Sequence, residues 1–93
     1  MLEPGLEGTV ERTVTEEMTA GALGSGDVPV LGTPGVLALV EAASCRAVEG
    51  GLGEGETSVG TRIELSHDAP TAVGTTVTAT ARLVQVEGRT LSF

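Results

Sequence analysis

Hydrophobic and polar positions follow three rhythms along this chain. From Leu6 to Val14, LEGTVERTV alternates loosely and is rich in Thr and Val, which predicts a first strand with one wet face. From Val36 to Cys45 every residue except Glu41 is apolar or small, which predicts a helix apolar on almost every side and therefore buried. The ends of that helix are marked over Thr33 to Gly51: Thr33 as N-cap, Pro34 at the first helical position, and Gly50-Gly51 as a left-handed stop. Beyond it, period two takes over. Val59, Thr61, Ile63, Leu65 and His67 share one parity, and Arg62, Glu64 and Ser66 the other, as in a strand with its apolar side on the helix.

The connections complete this outline. Thr15 opens a short helix in TEEMTAGAL, with Glu16 and Glu17 in the first turn and an end at Gly21 or Gly24. GSGDVPVLG, residues 24 to 32, has the composition of an irregular loop that forms part of a pocket wall. TTVTATARLVQV, from Thr75 to Val86, reads as a long strand; Glu87-Gly88 is a two-residue hairpin signal, and Arg89 to Phe93 begins a last strand. The predicted class is α+β: an antiparallel sheet wrapped around one long central helix. Residues 1–93 read as a single domain whose last strands are missing, because the final strand meets no turn or polar tail.

Composition narrows the function classes. A chain of 93 residues hides only roughly 60–65 % of the surface its unfolded form exposes, so a partner subunit would help it. Phe93 is the sole aromatic, which excludes stacking platforms for bases. The net charge is −8 and the five basic residues are scattered arginines, which argues against generic binding of nucleic acid or an anionic membrane. One cysteine makes no internal disulfide, and Cys45 within the apolar helix reads as a small hydrophobe in a reducing compartment. With no signal-peptide pattern and no run long enough to span a bilayer, the cytoplasm is the default.

Three residues could carry chemistry. Thr33 before a proline is ordinarily just a cap, and a histidine at a strand end is ordinarily just satisfied there. Glu41 is the anomaly, since a carboxylate among apolar side chains needs a partner, a proton or a task. It lies about 12 Å along the helix axis from Thr33, so cap and carboxylate flank one groove that His67 can reach if its parity faces inward. The N–H groups of Gly35 and Val36 are expected to be free donors for an oxyanion. A base, an acid, a hydroxyl and an oxyanion site are the parts of acyl transfer or hydrolysis. The Gly-rich turn at 50–56, with Glu54 and Glu56 in it, Glu49 just before it and no lysine, would repel phosphate. One His and one Cys without clustered acids argue against zinc, and no G-x-S-x-G elbow is present.

The runs GTPGVLALVEAASCRAV and GEGETSVGTRIELSHDAPTAVGTTVTATARLVQVEGRTLSF resemble the hot-dog-fold thioesterases of the fluoroacetyl-CoA thioesterase type. The resemblance covers residues 33 to 93 well and the first thirty weakly. It implies a catalytic set of Thr33, Glu41 and His67, with Gly60 matching a strand glycine near the acyl group. It further implies hydrolysis of an acyl-CoA thioester, with no cofactor, in a homodimer whose active sites lie at the subunit interface. The loop GSGDVPVLG lacks the aromatic lid associated with fluoroacetyl selectivity, so that substrate does not carry over. In this reading His67 is the general base, Glu41 orients or assists it, and Thr33 either hydrogen-bonds the thioester or attacks it. The alternative is a non-catalytic module of the same fold that binds acyl-CoA or a small hydrophobic acid.

Overall fold

The structure, a computed structural model, describes residues 1–93. Strand β1 (Glu7–Thr13) pairs antiparallel with β2 (Thr76–Arg82), from Glu7 opposite Arg82 to Thr13 opposite Thr76. After β1 come a 3-10 turn (Glu16–Met18), the short helix α1 (Ala20–Leu23) and the long helix α2 (Thr33–Val48). Strands β3 (Gln85–Glu87) and β4 (Thr90–Ser92) form a separate hairpin after β2. Glu16 and Glu17 occupy the first turn of the 3-10 segment as expected. The Glu17 carboxyl is held below its ordinary value by a backbone hydrogen bond and by the Thr15 side chain.

Helix α2 lies across the β1–β2 pair. Its buried positions are Gly35, Leu39, Ala43, Ala47 and Val48, a stripe repeating every four residues. Small residues in that stripe let the sheet come close. A Cβ on Gly8 of β1 would collide with the Ala43 carbonyl oxygen and the Ala47 amide nitrogen, so strand backbone rests directly on helix backbone there. Val10, Leu39, Ala43 and Ala81 form one apolar cluster, and Ala47, Val48 and Leu83 a second toward the end of the helix.

The opposite side of α2 is open. Ala38, Glu41 and Cys45 are exposed, so the helix is buried along one stripe and not on almost every side. Glu41 is therefore not a carboxylate sealed in a core, and Cys45 is an exposed thiol. The helix also stops earlier than its glycines suggest. It ends at Val48 with Glu49 right-handed as C-cap, and neither Gly50 nor Gly51 has a positive φ.

The largest departure concerns residues 57–68. The period-two pattern is there, but no strand forms: from Thr57 to Pro70 the backbone makes no hydrogen bond to other backbone. A strand exists only through a neighbour that takes its N–H and C=O groups, and none lies alongside. Val59 is accordingly 83 % exposed, and Ile63 and Leu65 are exposed as well. The expected long strand at 75–86 is real but breaks after Arg82, before β3. The hairpin turn is Gly88-Arg89, one residue later than predicted, with Gly88 at φ 60 taking the left-handed position. With 14 of 93 residues buried and a radius of gyration of 14.6 Å, against about 12 Å for a compact chain of this length, the core is thin and the outline elongated.

Candidate active site

The site begins at Gly32. A Cβ there would lie 2.9 Å from the Ala20 Cα and 3.0 Å from its nitrogen, so only glycine fits between α1 and the start of α2. Gly32 adopts extended φ and ψ and is itself the N-cap, which makes Thr33 the first residue of the helix. The Thr33 side chain is thereby released from capping. It shares a 3.0 Å hydrogen bond between its Oγ1 and His67 Nδ1, joining residues 34 apart in sequence. The other ring nitrogen, Nε2, is buried and has no hydrogen-bond partner.

His67 is positioned by a segment that has no ladder, and its contacts with α2 hold it. Cys45 Sγ lies 3.9 Å from Ser58 Oγ, Gly60 sits against the Glu41 carboxylate, and Thr33 meets His67. The segment thus runs back along the open side of the helix, from its C-terminal half to its start. Gly60 is where it comes closest to Glu41: a Cβ would stand 2.5 Å from Oε2.

The structure therefore joins the sequence-predicted residues in two pairs, Thr33 with His67 and Glu41 with Gly60. No hydrogen bond links the pairs, which stand about two helical turns apart. Gly35 and Val36 depart from expectation. Both of their N–H groups donate to the Gly32 carbonyl, at 2.9 and 3.2 Å, and Gly35 is buried, so neither is a free donor. The free N–H at the helix start is that of Thr33, which has no backbone acceptor. Sequence reasoning missed it because the cap was placed one residue late.

A cavity of about 240 Å³ opens beside the Thr33–His67 pair. Its walls come from the loop before α2 (Ser25, Val28, Val30) and from the residues after His67 (Asp68, Pro70). These stretches are tied together by the Leu31 N–H donating to the Thr71 carbonyl at 2.8 Å and by a bridge between Val30 and Ala72. The loop was expected to line a pocket and does; Asp68 was not anticipated there. No helix of the chain is long and apolar enough to cross a membrane.

Known proteins are similar to this chain in sequence and in fold. A fluoroacetyl-CoA thioesterase of Streptantibioticus cattleyicolor is 47 % identical over 64 residues, which make up 69 % of this chain and 46 % of the relative. The chain thus spans about half the length of that curated relative. The solved structure of the fluoroacetyl-CoA thioesterase FlK superposes with a TM-score of 0.88 at 35 % identity, covering 98 % of this chain and 72 % of that one. The Thermus thermophilus protein TTHA0967, a thioesterase superfamily member, gives 0.86 at 32 % identity over 96 % of this chain and 66 % of its own. Helix and antiparallel strands are those of the hot-dog fold. The family described as fluoroacetyl-CoA-specific thioesterase matches residues 14–93, and the chain belongs to that family.

Proposed function

We propose that this chain hydrolyses acyl-CoA thioesters, with Thr33, His67 and Glu41 as its catalytic residues. The observation that carries the reading is the 3.0 Å hydrogen bond between Thr33 Oγ1 and His67 Nδ1 at the mouth of a cavity. Hydroxyl and base at hydrogen-bond distance are the pairing that nucleophilic acyl transfer requires. Because His67 Nε2 is buried, the ring exchanges protons through Nδ1, by way of the Thr33 hydroxyl.

In the first step the Thr33 proton passes to Nδ1 while Oγ1 attacks the thioester carbonyl carbon. The carbonyl oxygen, as it gains charge, accepts a hydrogen bond from the free N–H of Thr33 or from solvent in the open cavity. The C–S bond then breaks, and the leaving thiolate takes the proton from His67. In the second step the same nitrogen withdraws a proton from water as the water oxygen attacks the Thr33 ester carbonyl; the bond to Oγ1 then breaks, Oγ1 takes the proton back from His67 Nδ1, and the acid leaves. Glu41, beside Gly60 and about two helical turns from Thr33, supplies a carboxylate that acts on that water through bridging solvent. We further propose that residues 1–93 act as one domain, paired as a homodimer in the cytoplasm, with Gly60 near the acyl group.

Release of thiol from short acyl-CoAs tests this. Thr33→Ala and His67→Ala should each lower kcat by about 10²–10⁴, the usual range for removing a positioned base or its partner. Glu41→Gln should lower it less. Equal rates in wild type and all three variants would remove the assignment, and saturable binding without thiol release would favour a binding module. A stable monomer at micromolar concentration would contradict the dimer.

A further inference from the structure

Strands β1 and β2 each turn one edge to the other and leave the second edge free, and the two free edges are not alike. Val14 donates its N–H to the Thr75 carbonyl and Leu83 donates to the Leu6 carbonyl, both at 2.8 Å, and the register between them is unbroken. By alternation, the N–H and C=O groups of Thr9 and Glu11 on β1, and of Thr78 and Thr80 on β2, point away from the neighbouring strand.

The β1 edge is guarded. Arg46 of α2 donates to the Thr9 carbonyl at 3.3 Å, Arg12 donates to the Glu11 carbonyl at 2.8 Å, and the strand carries Glu7 and Glu11. Charges and occupied carbonyls of this kind keep other strands away. The β2 edge has neither: its sequence, TVTATAR, contains no acid, and no hydrogen bond outside the ladder reaches its backbone from Thr76 to Arg82. Strand β4 uses that side only as far as Val84, whose N–H donates to the Ser92 carbonyl at 2.8 Å. Helix α2 follows the same division. Arg46 lies on its β1 flank, and at about 3.6 residues per turn Leu37 and Val40 fall on the other flank, half-buried, above β2.

We propose that a second copy of this chain docks along the free edge of β2, its own β2 running antiparallel to the first about a two-fold axis at Ala79. An unpaired row of backbone groups is a template for another strand, and a two-fold contact asks the same patch to complement itself. This register does so. It sets Thr78 opposite the partner's Thr80, Arg82 opposite the partner's Thr76, and Ala79 opposite its own counterpart on the helix side. No charge meets a like charge, which matters for two chains of net charge −8. Val77 and Ala79, already packed against the core, continue the apolar layer into the second subunit, and the Leu37 and Val40 flanks of the two helices face each other across the axis. The proposal names the surface of the homodimer put forward above and rests on that reading. Thr33, Glu41 and His67 lie outside the contact, so the thioesterase reading stands or falls by its own assay.

The test follows sedimenting mass and amide hydrogen exchange of the full chain across a concentration series. As mass rises from monomer to dimer, exchange at Thr78 and Thr80 should slow at least about tenfold, while Thr9 and Glu11 keep one rate throughout. Thr78→Lys with Thr80→Lys sets like charges opposite each other across the axis and should raise the dimer Kd at least about tenfold. Thr78→Lys with Thr80→Glu sets opposite charges there and should return Kd to the wild-type value or below. Both pairs lie on the wet face and both lose the Thr80 hydroxyl's bond to Thr9, so the difference between them isolates charge across the axis. A chain that stays monomeric overturns both this proposal and the homodimer. A dimer whose Kd is the same in both variants, or whose protection appears at Thr9 and Glu11 or at residues 57–68 instead, overturns the β2 edge alone and leaves the homodimer standing.

Discussion

Two regions touch helix α2 from opposite sides, and they are built on different principles. On one side β1 and β2 press backbone against backbone through Gly8, fix their register by a full ladder, and bury Val10, Leu39, Ala43 and Ala81. On the other, the stretch from Thr57 to Pro70 runs along the helix without a single backbone-to-backbone hydrogen bond and leaves Val59 in solvent. Yet the bare stretch carries His67 and Gly60, and the packed side carries none of the proposed chemistry. Rigidity and function are divided across one helix: the sheet holds α2 still so that its open face can present Thr33 and Glu41. Stability is not uniform across a structure, and segments that bind or react come from its looser end.

The strongest way to break this comparison is to attack the packed side at its closest approach. Gly8→Val would drive a side chain into the Ala43 carbonyl and the Ala47 amide, and backbone atoms cannot swing away as a side chain can. We expect a loss of at least about 3 kcal/mol, the upper end for overpacking a core, or failure to fold. Urea denaturation measures it. A variant as stable as wild type would mean that β1 does not sit on α2 in this way.

A matched pair of truncations sharpens the contrast. Leu83 is fully buried in the cluster with Ala47 and Val48, whereas Leu65 is exposed in the bare stretch. Leu83→Ala should cost about 2–5 kcal/mol, and Leu65→Ala less than about 1 kcal/mol. Similar losses in thermal or chemical melts would show that residues 57–68 belong to the core after all.

The same division explains what could be read from sequence. Strand β1 and most of β2 were legible from their alternation, and the long helix from its apolar run and its Thr-Pro start, and each finds its partner within the chain. The stretch from Val59 to His67 has an equally clean period, but a strand is completed by a neighbour, and period says nothing about whether one is there. The family resemblance groups Thr33, Glu41 and His67 in one set; the structure brings Thr33 to His67 and leaves Glu41 about two helical turns away, and the reasoning from burial does not hold, because Glu41 is exposed. The N-cap misplacement had a cause visible only in three dimensions. Gly32 is the cap because Ala20 leaves room for nothing larger, and that contact joins residues 12 apart with no mark in the local pattern.

Gly60→Ala gives the smallest effect on the fold and the most direct test of whether the open side works as a unit. Its φ is not positive, so alanine is allowed by the backbone, and the added Cβ meets only the Glu41 carboxylate, 2.5 Å from Oε2 and 3.5 Å from Cδ. A flexible side-chain end can move, so stability should change by no more than about 0.5 kcal/mol. Activity should not be spared in the same way. If the Glu41 carboxylate orients the water in deacylation, displacing it should lower kcat about tenfold, because small misplacements of positioning groups weigh heavily on rate. The double variant Gly60→Ala with Glu41→Gln separates the causes. Should the alanine act through Glu41, it will add little once the carboxylate is gone, and the two effects will be strongly non-additive. Full additivity would mean that Gly60 is needed for the acyl group itself, and that the contact with Glu41 is incidental to the rate.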